Sequence, residues 1–364
     1  GVKTIIRRII SQSAYEAFDT LANDYLLDPT RSNDFTYDQD VFAGYASFNV
    51  NLGKKYSFVA GARYEWTEIA GESVGENDAF SFNYGNLLPS IILSRKLKQF
   101  STLKLSFNQR IRRPSLFFIN PFVNAADSRN ITVGNPELNP ELTDQVELGY
   151  TTILKGVTLN AAVFFRQTRD VIEQIFTVDE FGRSVGTYLN VGTNQSIGLD
   201  VFSSWTIKKI WTLRGGFNLY TYDATGVING KQVSNTGFLY RINANSSLQL
   251  KYGLRLEAFG FFNSPRITLQ GTRQAFSIYN FGIKKSLWKK KGSIGATVTQ
   301  PFSRFQNFGS ELNGIDFYQS TDFLFPFRSF GVNFSYRFGK QTFKRRRRSK
   351  VRNDDQKAGE TSNF

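Results

Sequence analysis

Hydrophobic and polar residues alternate with a period of two along most of this chain. Between Phe238 and Leu250 the even positions are mainly apolar and the odd positions are polar. The same alternation recurs over residues 57–67, 103–110 and 330–338. A period of two is typical of a β-strand with one apolar face and one polar face, whereas a helix repeats after about 3.6 residues. The pattern therefore predicts an all-β protein.

Thirteen segments carry this alternation at the length of a strand. They span residues 41–52, 56–69, 81–97, 102–113, 142–154, 157–176, 186–207, 211–224, 236–250, 254–265, 272–287, 292–302 and 322–339. Several exceed the roughly 5–6 residues usual in soluble sheets. They reach the length of about 9–11 residues with which a tilted strand crosses a bilayer. Strand length alone therefore favours a membrane-spanning sheet.

The links between the predicted strands are of two alternating kinds. One kind is short and basic and occupies residues 53–55, 98–99, 155–156, 208–209, 251–253 and 289–292. The other is longer and polar and occupies residues 70–80, 114–141, 177–185, 225–235, 266–271 and 303–321. Transmembrane β-barrels have short periplasmic turns and long extracellular loops. The alternation therefore predicts a transmembrane antiparallel β-barrel, and it places the chain after Phe338 in the periplasm.

A large soluble antiparallel sheet is the alternative to a barrel. Such a sheet would need a partner for its apolar face, and the sequence offers neither a convincing amphipathic helix nor a second set of oppositely patterned strands. A lipid bilayer supplies that partner. It also accounts for an aromatic content of 15%, because aromatic side chains form girdles at the two membrane interfaces.

Composition removes several classes of function. The chain of 364 residues contains no His, no Cys and no Met. It therefore lacks a thiol nucleophile, a His-containing catalytic triad and imidazole or thiolate metal ligands. We predict no catalytic residues, no metal-binding residues and no cofactor, and we do not expect an enzyme. No run of about 18 apolar residues is present either, which excludes a helical membrane protein.

The start of the chain and the strand count together predict a fragment or a processed chain. Gly1 opens directly onto charged sequence, without an initiating Met or a signal peptide. Bacterial single-chain barrels also use even strand numbers rather than thirteen. Residues 1–40 are interpreted as the end of a preceding extracellular loop and strand, with a short helix around Ser13–Leu27. Residues 41–339 are interpreted as the C-terminal part of the barrel.

Residues 340–364 form a basic tail. The tail carries nine positive and three negative residues, which is +6 of the total charge of +15. The run from Lys344 to Arg348 has the composition of a nucleic-acid patch. Strand parity places it in the periplasm instead, near anionic lipid headgroups or a periplasmic partner. We therefore predict a solvated, disordered periplasmic tail.

A block of motifs lies over residues 112–150. It contains RRPS, INPF, GNPELNPE and ELGY in this order. The residues that carry the pattern are Arg113, Pro114, Asn120, Pro121, Phe122, Gly134, Asn135, Pro136, Leu138, Pro140, Glu141, Glu147, Gly149 and Tyr150. On these motifs the chain resembles the TonB-dependent outer-membrane receptors, in particular the Bacteroidetes-type outer membrane protein beta-barrel family. The resemblance extends from about Asp40 to Lys340.

The resemblance implies a barrel of about 22 strands closed around an N-terminal plug. Against the thirteen strands predicted here, about nine strands and the plug would lie upstream. It further implies uptake of a scarce solute such as a siderophore, a glycan or a cofactor. The expected partners are outer-membrane lipid, the chain's own plug, the TonB complex and the imported solute, with no nucleic acid among them. A non-transport barrel that serves as an adhesin, a secretion-associated component or an envelope anchor is the alternative.

Two groups of side chains are candidates for contact with a plug or a solute. The first faces the lumen and comprises Arg63, Glu65, Lys104, Arg110, Arg112, Glu147, Arg214, Arg241, Arg255, Glu257 and Arg337. The second lies in the predicted extracellular loops and comprises Phe117, Phe118, Asn120, Phe122, Phe305, Phe308 and Tyr318. Aromatic and amide groups together suit stacking on a sugar or an aromatic chelator. Simple solvation of the inner wall and interfacial anchoring of the aromatic rings are the alternatives.

Overall fold

The computed structural model describes residues 1–28, 32–74, 79–98, 100–315 and 317–339. Within these residues, fourteen strands form one large sheet. In chain order they are β1 (Val2–Ser13), β2 (Asn33–Leu52), β3 (Tyr56–Val74), β4 (Phe80–Lys96), β5 (Thr102–Arg112), β6 (Glu141–Leu154), β7 (Val157–Arg169), β8 (Thr193–Ile207), β9 (Trp211–Ile228), β10 (Lys231–Gln249), β11 (Leu254–Asn263), β12 (Phe276–Leu287), β13 (Gly292–Thr299) and β14 (Ser329–Tyr336). Strands that follow each other in the chain are neighbours in the sheet and run antiparallel, so the predicted meander is confirmed.

Shorter elements lie between these strands, mainly in the long connections. A single helical turn, α1, spans Leu116–Ile119, and 3-10 turns span Lys251–Gly253 and Trp288–Lys290. The short strands are Glu16–Asp19, Asp24–Leu27, Asn124–Asp127, Asn130–Thr132, Ile172–Val178, Ser184–Asn190, Arg266–Thr268, Gly271–Arg273, Phe305–Asn307, Ser310–Asn313, Tyr318–Thr321 and Leu324–Pro326. In the part of the chain that the structure describes, no helix is long and apolar enough to span a membrane.

Each of the thirteen predicted strands overlaps one strand from β2 to β14, and β1 is an addition. The predictions 157–176 and 186–207 were too long, because residues 172–176 and 186–190 belong to a separate hairpin outside the large sheet. β1 pairs with β2 along its whole length, from Val2 opposite Gly44 to Ser13 opposite Asn33. Its repeated isoleucines explain the strand, because β-branched side chains pack well on a pleated surface. Within the described residues, β1 and β14 each have a neighbour on one side only.

The helix predicted around Ser13–Leu27 is wrong, because this segment forms a β-hairpin. Strands Glu16–Asp19 and Asp24–Leu27 pair antiparallel. The Asp19 carboxylate accepts hydrogen bonds from the backbone of Leu21 and Ala22, which fixes a turn rather than a helical start. Across the hairpin, the rings of Phe18 and Tyr25 meet edge to face at 5.3 Å.

Two of the predicted long loops are instead continuations of strands. β9 and β10 pair as far as Ile228 opposite Lys231, so residues 225–235 form a hairpin with only two turn residues. Those residues, Asn229 and Gly230, have φ angles of 48° and 74°. Asn-Gly is the preferred pair for a type I′ turn, which matches the twist of the flanking strands. β3 and β4 likewise extend into the predicted loop 70–80.

The short connections are tight turns, as predicted. Positive φ angles occur at Gly53, Lys155, Gly156, Lys208 and Lys209. Glycine adopts this conformation freely, whereas lysine adopts it at some cost, so each turn is fixed by the pairing of its strands. The short turns place many lysines at one end of the sheet, opposite the end that carries the long connections.

The two faces of the sheet differ as the alternation predicts. Large apolar side chains such as Leu148, Val163, Ile197 and Phe238 are exposed on the convex face. The concave face carries polar residues over much of its area. At the long-loop end, however, it becomes apolar, because the connections fold back into the concavity and pack against it.

Two hydrophobic clusters hold the folded-back connections in place. The first joins β2 and β3 to α1 and to the connection between β7 and β8, and it contains Phe35, Tyr37, Ile69, Phe118, Ile119, Leu138, Ile172 and Tyr188. The second joins β9 and β10 to the connections before β8 and β12, and it contains Ile175, Val191, Tyr222, Ala224, Ile228, Leu239 and Leu269. The basic tail, predicted at 340–364, lies outside the described residues.

Candidate functional site

The concave face and the folded-back connections line a half-open cavity of about 1180 Å³. Its wall comes from β1 and from β3 to β9, and its roof comes from residues 171–176 and 266–273. Among the described lining residues, the cationic ones are Lys3, Arg63, Arg110, Arg112, Arg166, Arg266 and Arg273. The acidic ones are Glu65, Glu141 and Glu173. The cavity therefore has an excess of four positive charges (seven minus three).

Strand register explains why these side chains share one wall. Arg110 on β5 lies opposite Thr143 on β6, and Thr143 lies opposite Thr168 on β7. Two positions before Thr168 in β7, Arg166 lies opposite Gln145. Residues directly opposite each other in a sheet point to the same face, and so do residues two apart in one strand. All five side chains therefore project into the concavity.

Arg113, the second residue of the RRPS motif, is an anchor of the wall rather than a lumen contact. Its side chain is 0% exposed. It donates a hydrogen bond of 2.5 Å to Glu65 and one of 2.8 Å to Thr67, both on β3. Arg63 also pairs with Glu65. A buried guanidinium needs such partners, since an uncompensated charge is costly to desolvate. The Arg113–Glu65 pair fixes the point where the chain leaves β5 and enters the concavity.

The GNP motif fixes the other end of this connection. The Gly134 N–H donates to the Asn120 carbonyl oxygen at 3.0 Å. A Cβ atom on Gly134 would lie 2.2 Å from that oxygen, so the close approach requires glycine. Asn135 donates from its backbone to Phe118 and from its side chain to the Tyr188 carbonyl oxygen. Asn120, Gly134 and Asn135 therefore hold two connections together.

Glu141 and Glu173 attach the Ile172–Asn190 hairpin to its surroundings. Glu141, the last residue of the GNPELNPE motif, accepts a hydrogen bond from the Ile172 N–H at 2.9 Å. It also lies 3.9 Å from Arg112. Glu173 accepts hydrogen bonds from the Tyr222 hydroxyl at 2.9 Å and from the Leu269 N–H at 2.8 Å. These contacts hold the roof of the cavity against its wall.

Gln270 closes the roof by linking two connections that are distant in sequence. Its side chain accepts from the Phe176 N–H at 2.7 Å and donates to the Phe176 carbonyl oxygen at 2.9 Å. The amide group thus pairs with one peptide group as a neighbouring strand would. Gln270 is 4% exposed, so both of its polar atoms are satisfied without solvent.

The lumen-facing residues predicted from the sequence divide into two groups. Arg110 and Arg112 line the cavity, together with Arg63 and Glu65. Glu147 shares their face and accepts a hydrogen bond from Gln145 at 3.2 Å. Outside the cavity but on the same concave face, towards the short-turn end, lie Lys104, Arg214, Arg255 and Glu257. Arg241 shares that face but lies opposite Asn263, the last residue of β11. The role of this set in contacting a plug or a solute remains a prediction.

The aromatic residues predicted to contact a solute lie in separate places. Phe117, Asn120 and Phe122 line a second cavity of about 620 Å³ beside β1. Phe118 is 2% exposed and packs against Tyr188 at 4.6 Å, and it also borders the large cavity.

Phe305, Phe308 and Tyr318 belong to the connection between β13 and β14. Phe308 packs against Phe325 and Phe327, and neither described cavity is lined by these three residues. Contact of either aromatic group with a solute stays a prediction.

Other family-motif residues have structural positions. Pro114 and Pro140 are buried at the two ends of the connection between β5 and β6, where a missing N–H costs no ladder hydrogen bond. Tyr150 donates to the Ser101 hydroxyl at 3.2 Å, near the short-turn end of the sheet. Gly149, Pro121 and Pro136 make no polar side-chain contact, since they carry no polar side chain.

Four residues that line the cavity were not predicted from the sequence pattern. They are Arg166, Tyr220, Arg266 and Arg273. The signal for Arg166 was present, because Phe164, Arg166 and Thr168 occupy alternate positions on one face of β7. An apolar Phe164 on the otherwise polar face concealed the alternation. Arg266 and Arg273 lie in a predicted loop, where alternation gives no information on direction.

Two carboxylates at the long-loop end are held by local hydrogen bonds. The Asn130 side chain donates to Asp127, and this bond lowers the pKa of the carboxyl group. The backbone N–H of Arg183 donates to Asp179, and with the Arg183 guanidinium it lowers the pKa of that carboxyl group. Both turns therefore keep their stabilising charge until the pH falls below the usual range for aspartate. Among the described residues, no group of three or more carboxylates is placed so that it could bind a metal ion.

These features define a class of protein. An antiparallel meander with an apolar convex face, a polar concave face, short turns at one end and long connections at the other is the wall of an outer-membrane β-barrel. The model of the outer membrane protein beta-barrel family matches residues 1–336, and the chain therefore belongs to that family. No curated protein matches the chain in sequence.

Solved structures with the same fold include a transporter and uptake receptors. The copper transporter OprC aligns with a TM-score of 0.64 and 12% identity, over 92% of this chain and 55% of OprC. The ferric yersiniabactin uptake receptor FyuA from Yersinia pestis aligns with a TM-score of 0.60 and 16% identity, over 92% of this chain and 49% of FyuA. The ferric-catecholate import receptor Fiu from K12 E. coli aligns with a TM-score of 0.62 and 13% identity, over 86% of this chain and 46% of Fiu.

At sequence identities this low, the structural similarity establishes only that these proteins share a fold with this chain. This chain spans about half the length of these solved structures. The resemblance to the outer membrane protein beta-barrel family that residues 112–150 indicated is confirmed.

Proposed function

We propose that this chain forms part of an outer-membrane receptor that takes up a scarce solute in a TonB-dependent manner. The observation that carries the proposal is the large cavity inside the sheet, roofed by connections from the long-loop end. A receptor needs a polar chamber between its outer loops and its lumen, and the cavity has that position. The receptor and transporter fold of its structural neighbours supports the same reading.

We further propose that the fourteen strands belong to a larger closed barrel of about 22 strands. The support is physical. Each of β1 and β14 leaves one row of backbone groups unpaired within the described residues. A bilayer does not tolerate unpaired backbone groups, so both edges require partner strands. About eight further strands, 22 minus 14, and an N-terminal plug would complete such a barrel. The plug and the TonB complex are proposed partners on the same basis.

The orientation follows from the two ends of the sheet. Barrels of the outer membrane turn tightly at the periplasmic end and carry long loops outside. We therefore propose that the lysine-rich short turns and the basic tail face the periplasm. The hairpins around residues 14–28 and 172–190 would then face the medium.

Uptake is tested in cells that carry the intact gene, its deletion, or a deletion of TonB. A panel of radiolabelled ferric siderophores, oligosaccharides and cofactors is supplied, and accumulation is measured. We expect at least one solute whose accumulation is lost in both deletion strains and returns with the intact gene. Equal accumulation of every solute in all strains would contradict the proposal. A defect in adhesion or secretion that is independent of TonB would favour the non-transport alternative.

A further inference from the structure

Arg166 is held in an unusual setting on the cavity wall. Its guanidinium carbon lies 5.3 Å from the centre of the Phe164 ring and 5.8 Å from the centre of the Tyr220 ring. Both rings are attached to the same wall, on β7 and β9, and Phe164 is buried. Contact with ring faces stabilises a guanidinium group and restricts its motion. The N–H edges of the group are the part that this contact leaves for hydrogen bonding.

Gly198 on β8 makes this arrangement possible. It lies between β7 and β9 in the sheet, opposite Phe164 on one side and Tyr220 on the other. A Cβ atom at this position would lie 2.5 Å from the Phe164 ring and 2.7 Å from the Tyr220 Cβ. Glycine thus provides the space that the two rings occupy beside Arg166.

The charges around Arg166 are not balanced. Arg110 and Arg112 are close enough to act on Arg166 by like-charge repulsion. Among the ion pairs of the described residues, none includes Arg110 or Arg166. Arg110 donates to the amide oxygen of Asn108, which is neutral, and Arg112 is 3.9 Å from Glu141. Of these three guanidinium groups, only Arg112 has a carboxylate partner among the ion pairs of the described residues, at 3.9 Å. Glu147 on the same face accepts a hydrogen bond from Gln145 instead.

Such a wall has the chemistry of an anion-binding site. A guanidinium group matches carboxylate and phosphate oxygens with two parallel hydrogen bonds. A ligand with several anionic oxygen groups would relieve the repulsion between the arginines as well as form these bonds. A ligand with one such group would engage one arginine only, and it would bind more weakly.

We propose that Arg110, Arg112 and Arg166 form a binding site for a solute that carries two or more anionic oxygen groups, with Arg166 as its main contact. This inference rests on the proposed uptake function and names the chemical class of the solute. Phe164, Tyr220 and Gly198 act as positioning residues, because they orient the Arg166 guanidinium group without needing to touch the solute.

The test uses the intact receptor, purified in detergent, and isothermal titration calorimetry at low ionic strength. The probes are citrate, acetate and sucrose, which carry three, one and no carboxylates. We expect citrate to bind at least about tenfold more tightly than acetate, since each charged hydrogen bond that is added strengthens binding by that order. Sucrose should not bind at this site.

Arg166→Gln should weaken citrate binding by about tenfold or more. The matched control is Lys284→Gln, which removes one positive charge from the concave face of β12, outside the cavity. We expect the control to bind citrate within about twofold of the wild type, because long-range charge effects are screened. Tyr220→Leu keeps the charge and removes one ring, so it should give an intermediate loss that a general charge effect would not produce.

Folding of each variant is checked by its heat-dependent mobility on gels, so that a misfolded protein is not scored. Equal binding of citrate and acetate, equal effects of Arg166→Gln and Lys284→Gln, or no citrate binding by the wild type would each overturn the inference. Failure of the two proposals can be told apart. Arg166-dependent citrate binding without TonB-dependent uptake in cells would remove the transport proposal alone. Uptake without such binding would remove the anion site alone.

Discussion

Arg113, in the RRPS motif, shows how one buried side chain can determine the path of a whole connection, here the one between β5 and β6. Its guanidinium group is fully buried and pairs with Glu65 at 2.5 Å, which fixes the inward path of residues 113–140. Arg113→Ala leaves the Glu65 carboxylate without this partner. We expect the free energy of unfolding to fall by about 3–5 kcal/mol, as for other broken buried pairs. Urea titration in lipid vesicles, followed by tryptophan fluorescence, measures the change.

Arg169→Ala is the matched control for this substitution. Arg169 pairs with Asp144 at 2.9 Å, but its side chain is 45% exposed. Exposed pairs contribute about 0–1 kcal/mol, so we expect little change. Equal destabilisation by the two substitutions would show that the Arg113 pair is not a structural anchor.

Gly134 provides a second test at the scale of single residues. Gly134→Ala would place a methyl group 2.2 Å from the Asn120 carbonyl oxygen, and backbone atoms cannot easily move aside. We expect a loss of about 1–3 kcal/mol in the free energy of unfolding, the usual cost of overpacking. Gly44→Ala is the control, because nothing lies within 4 Å of its added Cβ. A neutral result for Gly134→Ala would contradict the close packing of this connection.

At the scale of elements, the period of two located the strands, while local turn chemistry set their ends. All of β2 to β14 followed from alternation. The β9–β10 hairpin was longer than predicted because Asn229-Gly230 forms a two-residue turn, a signal that the polar composition of 225–235 concealed. β1 was missed as a defined strand because its two faces both carry isoleucine, which gives no clear alternation.

The roof of the cavity gives a prediction at the same scale. Gln270→Leu removes both hydrogen bonds to the Phe176 peptide group. Since a net hydrogen bond is worth about 1 kcal/mol, we expect amide hydrogen exchange over residues 172–178 to rise by roughly fivefold or more. Gln274→Leu, on the same connection, should leave that exchange unchanged. Unchanged exchange in Gln270→Leu would show that the hairpin is held by its hydrophobic cluster instead.

At the scale of the whole molecule, fold and site differ in how far the sequence predicted them. The antiparallel meander, the difference between its two ends and the family all followed from alternation and from the motifs in residues 112–150. The cavity did not, because it depends on connections that fold back into the concavity. Phe35, Tyr37 and Ile69 stand at inward positions where a polar lumen was expected, and their apolar character is explained only by the connections that cover them.

Labelling of single cysteines in intact cells tests the central claim, an outer-membrane barrel with its long connections outside. This chain has no cysteine of its own, and the protein without introduced thiols gives the background labelling. Phe181→Cys lies at the exposed tip of the 172–190 hairpin, and Lys54→Cys lies in the short β2–β3 turn. We predict that a membrane-impermeant maleimide labels Phe181→Cys in intact cells, and labels Lys54→Cys only after the outer membrane is permeabilised. Labelling of Lys54→Cys but not Phe181→Cys, or of both before permeabilisation, would contradict the account.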